Sequence, residues 1–310
     1  MEALAKATEA AALAVWPHVG QGDLDRVDRA AVDAMRDSLN AAPLAGYIAI
    51  GEGEKDKAPM LHNGETVGLA TGPALDLAVD PIDGTRAAAA GKFGSVAALA
   101  AAPSGAMIRP TQVAYMEKLV GSPNTNGKLH LDMPIAEMLA TVATAEGIAK
   151  NSVRVAILDR PRNHAIMQAV REAGAVVQAL PYADLSASIA IALGTANLHL
   201  LLGIGGAPEG VLAAAAAAAV GACMECRLWP RNAEERAFLS DTGQSQPRIL
   251  SARDMVGQQG LRVVLTGVTG SELVVGASES QDTLRVQTVR ISSDAPVRFA
   301  YRTRSRPPHA

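Results

Sequence analysis

The chain is poor in cysteine, in aromatic residues and in net charge, and each shortage excludes a class of protein. Only two of its 310 residues are cysteines, so no disulfide framework holds the fold. Aromatic residues make up 3% and the net charge is −3, which argues against base stacking and phosphate-backbone attraction as a binding mode. We therefore expect no nucleic-acid partner. The hydrophobic fraction of 49% predicts a globular protein with an ample core.

Long apolar runs are missing as well. The longest, residues 211–222, is shorter than the roughly 20 residues that a membrane-spanning helix needs. The first residues lack the basic region and apolar run of a secretory signal. The sequence therefore predicts a cytoplasmic protein that does not enter a membrane.

The two cysteines, Cys223 and Cys226, form a Cys-x-x-Cys pattern that could serve zinc binding or redox chemistry. A structural zinc site normally has four ligands, and the sequence has neither a second cysteine pair nor a closely spaced histidine pair. We therefore interpret both as small apolar residues that follow a helix.

The stretch 75–86, Leu-Asp-Leu-Ala-Val-Asp-Pro-Ile-Asp-Gly-Thr-Arg, organises the sequence. Alternating leucine and valine residues predict a short strand with one buried face. The strand is expected to end at Asp80, because Pro81 cannot donate to a sheet. Asp83 then begins a turn, and Thr85 begins an alanine-rich helix.

This stretch has two interpretations. Its two carboxylates would attract Mg²⁺ or Mn²⁺, while a helix N-terminus would attract phosphate oxygens, and together they suit metal-assisted phosphate-ester chemistry. Alternatively, it is a surface turn, since Asp-Gly turns are common. On this stretch alone both interpretations stay open.

Strands and helices alternate over residues 153–220, which predicts a parallel or mixed sheet covered by helices. Loops after such strands collect at one edge of the sheet, where ligands bind. Further strands are predicted at 262–266, 272–275 and 283–291. The expected organisation is an N-terminal metal and phosphate-binding α/β domain (1–145), a C-terminal α/β substrate domain (146–295) that also supplies Glu209, and a basic, disordered tail (296–310).

Acidic residues recur in loops that follow predicted strands. Clustered carboxylates repel one another unless cations hold them together, so the pattern indicates two or more divalent ions. The ions would be Mg²⁺ or Mn²⁺ rather than Zn²⁺, because cysteines are few and the histidines form no cluster in the sequence. The glycine-rich segment 203–210 fits delivery of one carboxylate better than dinucleotide binding, because Pro208 and Glu209 stand where a pyrophosphate needs bare backbone. The acidic positions are Asp28, Glu52 with Glu54, Asp80 with Asp83, and Glu209.

Several motifs carry a family resemblance. Residues 80–85, Asp-Pro-Ile-Asp-Gly-Thr, resemble the signature of the lithium-sensitive, metal-dependent sugar phosphatases. Segments 50–54, 58–61, 64–68, 115–119 and 203–210 resemble, in order, motifs of the class II fructose-1,6-bisphosphatases. The resemblance implies a layered α-β-α-β-α sugar-phosphatase fold with two sheets, and a homo-oligomer, either a dimer or a tetramer.

The resemblance also implies an activity and a site. The activity is hydrolysis of the 1-phosphate of fructose 1,6-bisphosphate, and also of sedoheptulose 1,7-bisphosphate, by attack of metal-activated water. Thr85 and Asp83 would be catalytic. The implied metal ligands are Asp28, Glu52, Asp80, Asp83 and Glu209. The implied substrate contacts are Asp83, Gly84, Thr85, Tyr115, Arg160, Pro161, Arg162, Tyr182, Ala183, Asp184 and Gly206.

One segment departs from the family pattern. The substrate loop that usually reads Asp-Gly-Asp is here Tyr182-Ala183-Asp184, which removes a hydroxyl acceptor and adds bulk. One alternative function is therefore a phosphatase for a different sugar phosphate in a specialised biosynthetic pathway. A second alternative is a non-catalytic regulator that binds sugar phosphates, although the complete set of carboxylates favours an enzyme.

Overall fold

The computed structural model describes residues 1–51, 61–109, 113–241, 247–280 and 283–305. Nine α-helices lie within these ranges. They are α1 (Glu2–Val15), α2 (Leu24–Asn40), α3 (Thr85–Ala89), α4 (Ile135–Glu146), α5 (His164–Glu172), α6 (Leu185–Leu193), α7 (Ala207–Val220), α8 (Ala233–Asp241) and α9 (Ala252–Val256).

Fourteen strands in the same ranges form two mixed sheets. The first sheet has eight strands in the order β12-β13-β11-β4-β3-β1-β2, with β14 paired to β13; the second has six in the order β10-β9-β5-β8-β6-β7. The strands are β1 (Ala45–Ile50), β2 (Thr66–Val67), β3 (Ala74–Asp83), β4 (Ser95–Pro103), β5 (Tyr115–Gly121), β6 (Arg154–Leu158), β7 (Val176–Leu180), β8 (Leu200–Gly206), β9 (Cys223–Leu228), β10 (Leu250–Ser251), β11 (Arg262–Gly270), β12 (Ser278–Ser280), β13 (Thr283–Ser292) and β14 (Ala295–Ser305).

The elements stack as five layers, which confirms the expected α-β-α-β-α order. Helices α1 and α2 cover the outer face of the first sheet, in one apolar cluster. Helices α6, α7 and α9 fill the space between the two sheets, in a second cluster. Helices α4 and α5 cover the outer face of the second sheet, in a third. Each sheet therefore buries both faces, as expected for sheets covered by helices.

The position of helix α7 between the two sheets explains its alanine-rich sequence. It contacts β3, β4 and β11 on one side and β5, β8 and β9 on the other. Its alanines from Ala213 to Ala217 are at most 1% exposed. A helix packed between two sheets leaves no room for larger side chains, and alanine also has the highest helix propensity.

Strand β3 runs further than the sequence predicted. It continues through Pro81 to Asp83, and from Asp76 onward both of its faces are buried, not one as predicted, because helices cover both sides of the sheet. Asp80 pairs with Ala98, but Asp83 pairs with Val96, so β3 has one extra residue between these pairs. The predicted strand end at Asp80 is wrong. Pro81 lies in this bulge, where the ladder is already interrupted, so its missing N–H does not end the strand.

Two other predictions near the C-terminus are wrong. The expected strand at 272–275 is a bend, and strand β11 instead extends to Gly270. The expected disordered tail is a strand over Ala295–Ser305, because its backbone pairs along most of β13 and Arg302 reaches Glu9 at 2.7 Å. Residues 306–310 lie outside the described ranges.

A cut at residue 145 does not separate the two sheets. Strand β5 precedes the cut but lies in the second sheet, whereas β11 to β14 follow it and complete the first sheet. The division into two domains stays a prediction.

The cysteines follow helix α7, as expected, and they lie on strand β9, which the sequence did not predict. Both are buried, and neither forms a disulfide. Burial raises the pKa of the Cys223 thiol to about 11 and that of Cys226 to about 12. Inert thiols of this kind fit the interpretation as small apolar residues. Among the helices of the described ranges, none is both long and apolar enough to cross a membrane.

Candidate active site

The bulge at the end of β3 places two carboxylates beside one another. Asp80 is 4% exposed and Asp83 is 6% exposed. The next residue, Gly84, has a φ of +80°, and a side chain there would collide with the carbonyl oxygen of Gly94. Glycine is therefore required for the sharp turn that leads from Asp83 into α3.

A third carboxylate comes from α7, the helix that packs against β3. Glu209 lies in the first turn of α7, and one oxygen from each of Asp80, Asp83 and Glu209 lies within 4.8 Å of the other two. A side chain at Gly206 would collide with the Glu209 carboxylate, so the glycine-rich end of β8 makes room for it. The structure thus brings together three of the predicted metal ligands.

The electrostatics of Asp83 indicate that the cluster suits a cation. Burial, followed by the nearby Glu209 and Asp184 carboxylates, raises the pKa of Asp83 well above its usual value. Its Oδ2 is buried and has no hydrogen-bond partner among the residues that the structure describes. Carboxylate oxygens are the ligands that Mg²⁺ and Mn²⁺ prefer, so these residues fit such an ion.

Thr85 and Asp28 form a pair next to this cluster. The Thr85 hydroxyl donates a hydrogen bond of 2.7 Å to Asp28 Oδ1 and lies 3.2 Å from the carbonyl oxygen of Ile82. Asp28 is half-buried on α2, so helix α2 positions the hydroxyl that begins α3. The contact with Asp28 orients the proton of Thr85 and leaves its oxygen able to accept a hydrogen bond. Metal ligation by Asp28 stays a prediction.

Asp184 is paired with a lysine that the sequence analysis did not identify. Lys118 Nζ lies 2.9 and 3.0 Å from the two Asp184 oxygens, and the Lys118 side chain is fully buried. Burial acts to lower the pKa of Lys118, but Asp184 and Glu209 outweigh it and raise the pKa. The signal was present in the sequence, because Lys118 lies between Met116 and Val120 on the buried face of β5.

The two predicted arginines have different surroundings. Arg160 donates hydrogen bonds of 2.7 to 3.1 Å to the carbonyl oxygens of Asp159, Pro181 and Tyr182, so it braces the loop after β7. Arg162 Nε donates to the Ile204 carbonyl at 3.0 Å. Between them, Pro161 is exposed and begins a one-turn 3-10 helix. Substrate binding by all three stays a prediction.

Tyr115, the first residue of the central strand β5, is surrounded by an aromatic ring and two arginines. The guanidinium carbon of Arg162 lies 4.4 Å from the Tyr115 ring centroid, and that of Arg231 lies 5.3 Å from it. The Trp229 ring meets Tyr115 edge to face at 6.3 Å between centroids. Tyr115 pairs with Gly206 across the sheet, which places this group beside the turn that carries Glu209. Trp229 and Arg231 were missed because their segment shows no periodic pattern.

The loop 182–184, which departs from the family pattern, leads into the N-terminus of α6. Tyr182 is half-buried, and its ring lies beside Gly94, the residue that Gly84 approaches. Ala183 is also half-buried, and Asp184 precedes the first turn of α6. Roles for Tyr182 and Ala183 in substrate binding stay predictions. Glu52 and Glu54, predicted near the metal, lie outside the described residues.

The site combines a carboxylate cluster that can hold a cation with a nearby arginine, Arg162, that can bind an anion. Metal-dependent phosphoric monoester hydrolases use this combination of groups. Comparison with known proteins agrees. The profile of the family described as "Bacterial fructose-1,6-bisphosphatase, glpX-encoded" matches residues 1–303.

Individual relatives match over nearly the whole chain. A class 2 fructose-1,6-bisphosphatase of Haemophilus influenzae is 38% identical over 299 residues, which cover 92% of this chain and 90% of that protein. Two class 2 fructose-1,6-bisphosphatases of Escherichia coli are 38% and 37% identical, over 93% and 92% of this chain and 94% and 89% of their own lengths. The chain belongs to the glpX-encoded family of bacterial fructose-1,6-bisphosphatases.

Proposed function

We propose that this protein is a divalent-metal-dependent phosphatase that hydrolyses the 1-phosphate of fructose 1,6-bisphosphate. The observation that carries the proposal is the convergence of Asp80, Asp83 and Glu209 within 4.8 Å of one another. The names of the relatives, all fructose-1,6-bisphosphatases, support this substrate.

The metal ligands in this proposal are Asp28, Glu52, Asp80, Asp83 and Glu209, holding two or more Mn²⁺ or Mg²⁺ ions. When bound, the ions would neutralise the carboxylates and lower the pKa of an attacking water. Ligation by Asp80, Asp83 and Glu209 is supported by the geometry above, and ligation by Asp28 and Glu52 rests on the family resemblance.

Thr85 is proposed to orient the water. Because its hydroxyl donates to Asp28, its oxygen can accept a hydrogen bond from the water, and it can take the water's proton only as its own proton passes to Asp28. The backbone N–H groups of Gly84 and Thr85 precede or begin α3 and are not needed for its helical hydrogen bonds, so they suit contacts with phosphoryl oxygens.

The experiment is release of inorganic phosphate from fructose 1,6-bisphosphate by the full-length protein. The protein is first treated with a chelator, and Mn²⁺ or Mg²⁺ is then restored; the Asp83→Asn variant serves as the negative control. Metal-dependent turnover that Asp83→Asn abolishes is expected. If no sugar bisphosphate is hydrolysed with either metal, the proposal is wrong.

A second candidate is hydrolysis of a different sugar phosphate, favoured by the Tyr182 ring beside Gly94. An aromatic ring there reduces the space for a sugar and removes a carboxylate acceptor. A panel that includes sedoheptulose 1,7-bisphosphate and sugar monophosphates, compared by kcat/KM, decides between the substrates. A Tyr182→Asp variant is expected to shift the preference towards fructose 1,6-bisphosphate if the ring sets it.

A non-catalytic regulator is the remaining alternative, and sugar-phosphate binding without hydrolysis would favour it. We further propose, from the family resemblance, that the enzyme acts in the cytoplasm as a homo-oligomer. Light scattering of the purified protein would measure its oligomeric state directly.

A further inference from the structure

Arg231 is held in place by contacts on two sides. Trp229, two residues earlier, donates its backbone N–H to the Tyr115 carbonyl at 2.9 Å, which fixes the chain where it leaves β9. The Arg231 guanidinium then lies 5.3 Å from the Tyr115 ring centroid. The side chain is nevertheless 47% exposed, so a ligand can reach it.

A buried carboxylate orients this arginine. Glu235, which is 5% exposed, accepts hydrogen bonds of 2.7 Å from both Nε and the backbone N–H of Arg231, and its Oε1 also lies 2.6 Å from Nη2. A guanidinium has five N–H donors in a planar fork, and these contacts engage only one edge of it. The Tyr115 side chain also takes part in a hydrogen bond with Arg231, and the donors that remain are held in a fixed orientation, as anion recognition requires.

Arg162 places a second cation on the same ring. Its guanidinium carbon lies 4.4 Å from the Tyr115 centroid, and it makes no ion pair with any residue in the described part of the chain. Since both guanidinium carbons lie close to one ring centroid, they are at most about 10 Å apart, and an anion near both would be attracted by two positive charges. The Cα atom of Tyr115 pairs with that of Gly206, at the typical spacing of about 5 Å, so this anion would lie near the Glu209 turn.

We propose that Arg231 is a specificity-determining residue that binds, together with Arg162, the phosphate that is not cleaved. This inference rests on the proposed function, because a substrate with two phosphates has one at the metal cluster and one elsewhere. Arg231 would then separate bisphosphates from monophosphates, and it would not take part in bond cleavage.

The test compares fructose 1,6-bisphosphate with fructose 1-phosphate, which lacks the second phosphate. Arg231→Ala is expected to raise KM for the bisphosphate about tenfold or more with kcat nearly unchanged, because a charge-assisted contact to the substrate is lost. KM for the monophosphate is expected to stay the same. Arg231→Lys keeps the charge but loses the fork, so an intermediate KM for the bisphosphate is expected.

Arg236→Ala is the matched control. Arg236 is exposed on the same helix as Glu235, and its removal changes the net charge equally without touching Tyr115. It is expected to leave both KM values unchanged. An equal rise of both KM values in Arg231→Ala would show a merely structural role and overturn the inference, as would no change in either.

A binding measurement separates this inference from the proposed function. Fructose 6-phosphate carries only the second phosphate, and calorimetry measures its affinity without turnover. Weaker binding by Arg231→Ala and Arg231→Lys than by Arg236→Ala supports the inference even if the wild type hydrolyses nothing, which would reject the proposed function alone. Equal affinities in all variants, or no binding by the wild type, overturn the inference.

Discussion

Lys118 Nζ lies 2.9 Å from Oδ1 and 3.0 Å from Oδ2 of Asp184, in an ion pair that is almost completely buried. Asp184 contributes to the electrostatic repulsion at Asp83, and Lys118 opposes it. The lysine therefore acts as an internal counter-ion for the acidic site. Because both Asp184 oxygens contact Lys118, this carboxylate is positioned by the protein itself.

Removal of this counter-ion is expected to destabilise the protein. In Lys118→Met, Asp184 stays buried without its cation, and loss of one partner of a buried pair costs about 3–5 kcal/mol. Chemical denaturation in the presence of a chelator measures the change. Adding Asp184→Asn to the same chain is expected to recover part of the loss, whereas the exposed control Lys128→Met stays near the wild type. A Lys118→Met protein as stable as the wild type would contradict the role given to this pair.

Thr85→Ala is expected to lose turnover without losing metal. The hydroxyl that would orient water disappears, and loss of a proton-transfer partner commonly lowers kcat by about 10² or more. The carboxylates of Asp80, Asp83 and Glu209 are unchanged, so Mn²⁺ binding by calorimetry should match the wild type. Thr85→Ser keeps the hydroxyl and is the matched control, with most activity retained. Full activity in Thr85→Ala would remove this residue from the reaction.

Asp83→Asn is expected to separate stability from metal binding. Without metal, the variant removes a buried carboxyl group whose ionisation is disfavoured, because burial and Glu209 raise its pKa; the melting temperature should therefore rise by a few degrees, as for a gain of about 1 kcal/mol. Addition of Mn²⁺ should stabilise the wild type but not the variant. The exposed Asp37→Asn should respond to Mn²⁺ like the wild type. Equal Mn²⁺-induced shifts in Asp83→Asn and the wild type would argue against ligation by this residue.

The buried thiols predict a loss of stability in alkali. Their native pKa values, about 11 for Cys223 and about 12 for Cys226, lie above the usual value of 9.0. Between about pH 9 and 11 the unfolded chain releases thiol protons that the native protein retains, so stability falls as the pH rises. Urea unfolding at several pH values should show a shallower fall in Cys226→Ala, with the wild type as reference. A thiol reagent at pH 8 should leave both native cysteines unmodified, and rapid labelling would contradict their burial.

Strongly patterned segments were predictable from the sequence. The alternation of apolar residues gave β3, and the alanine run gave α7, because burial of a face imposes a period that composition reveals. Loop carboxylates after strands led to Asp80, Asp83 and Glu209, which the structure brings together. Hard cations favour oxygen ligands, so residue type and position after a strand were enough to select the three carboxylates whose proximity the structure shows.

Features that depend on distant partners were not predictable. The sequence predicted a disordered tail where β14 lies. Its basic residues find acidic partners only far away in the sequence, as Arg302 does in its ion pair with Glu9. Strand β9, which lies between β5 and β10, was missed because apolar and polar residues do not alternate clearly along it. Arg231 has no local signal either, since its position depends on Tyr115 and Glu235.

The order of strands in the first sheet has a consequence for synthesis of the chain. Strand β3 carries Asp80 and Asp83 and pairs with β4, but β11, the other neighbour of β4, begins only at Arg262. The second sheet is complete once Ser251 has left the ribosome. A growing chain can therefore complete the second sheet while the first sheet, which carries Asp80 and Asp83, still lacks strands β11 to β14.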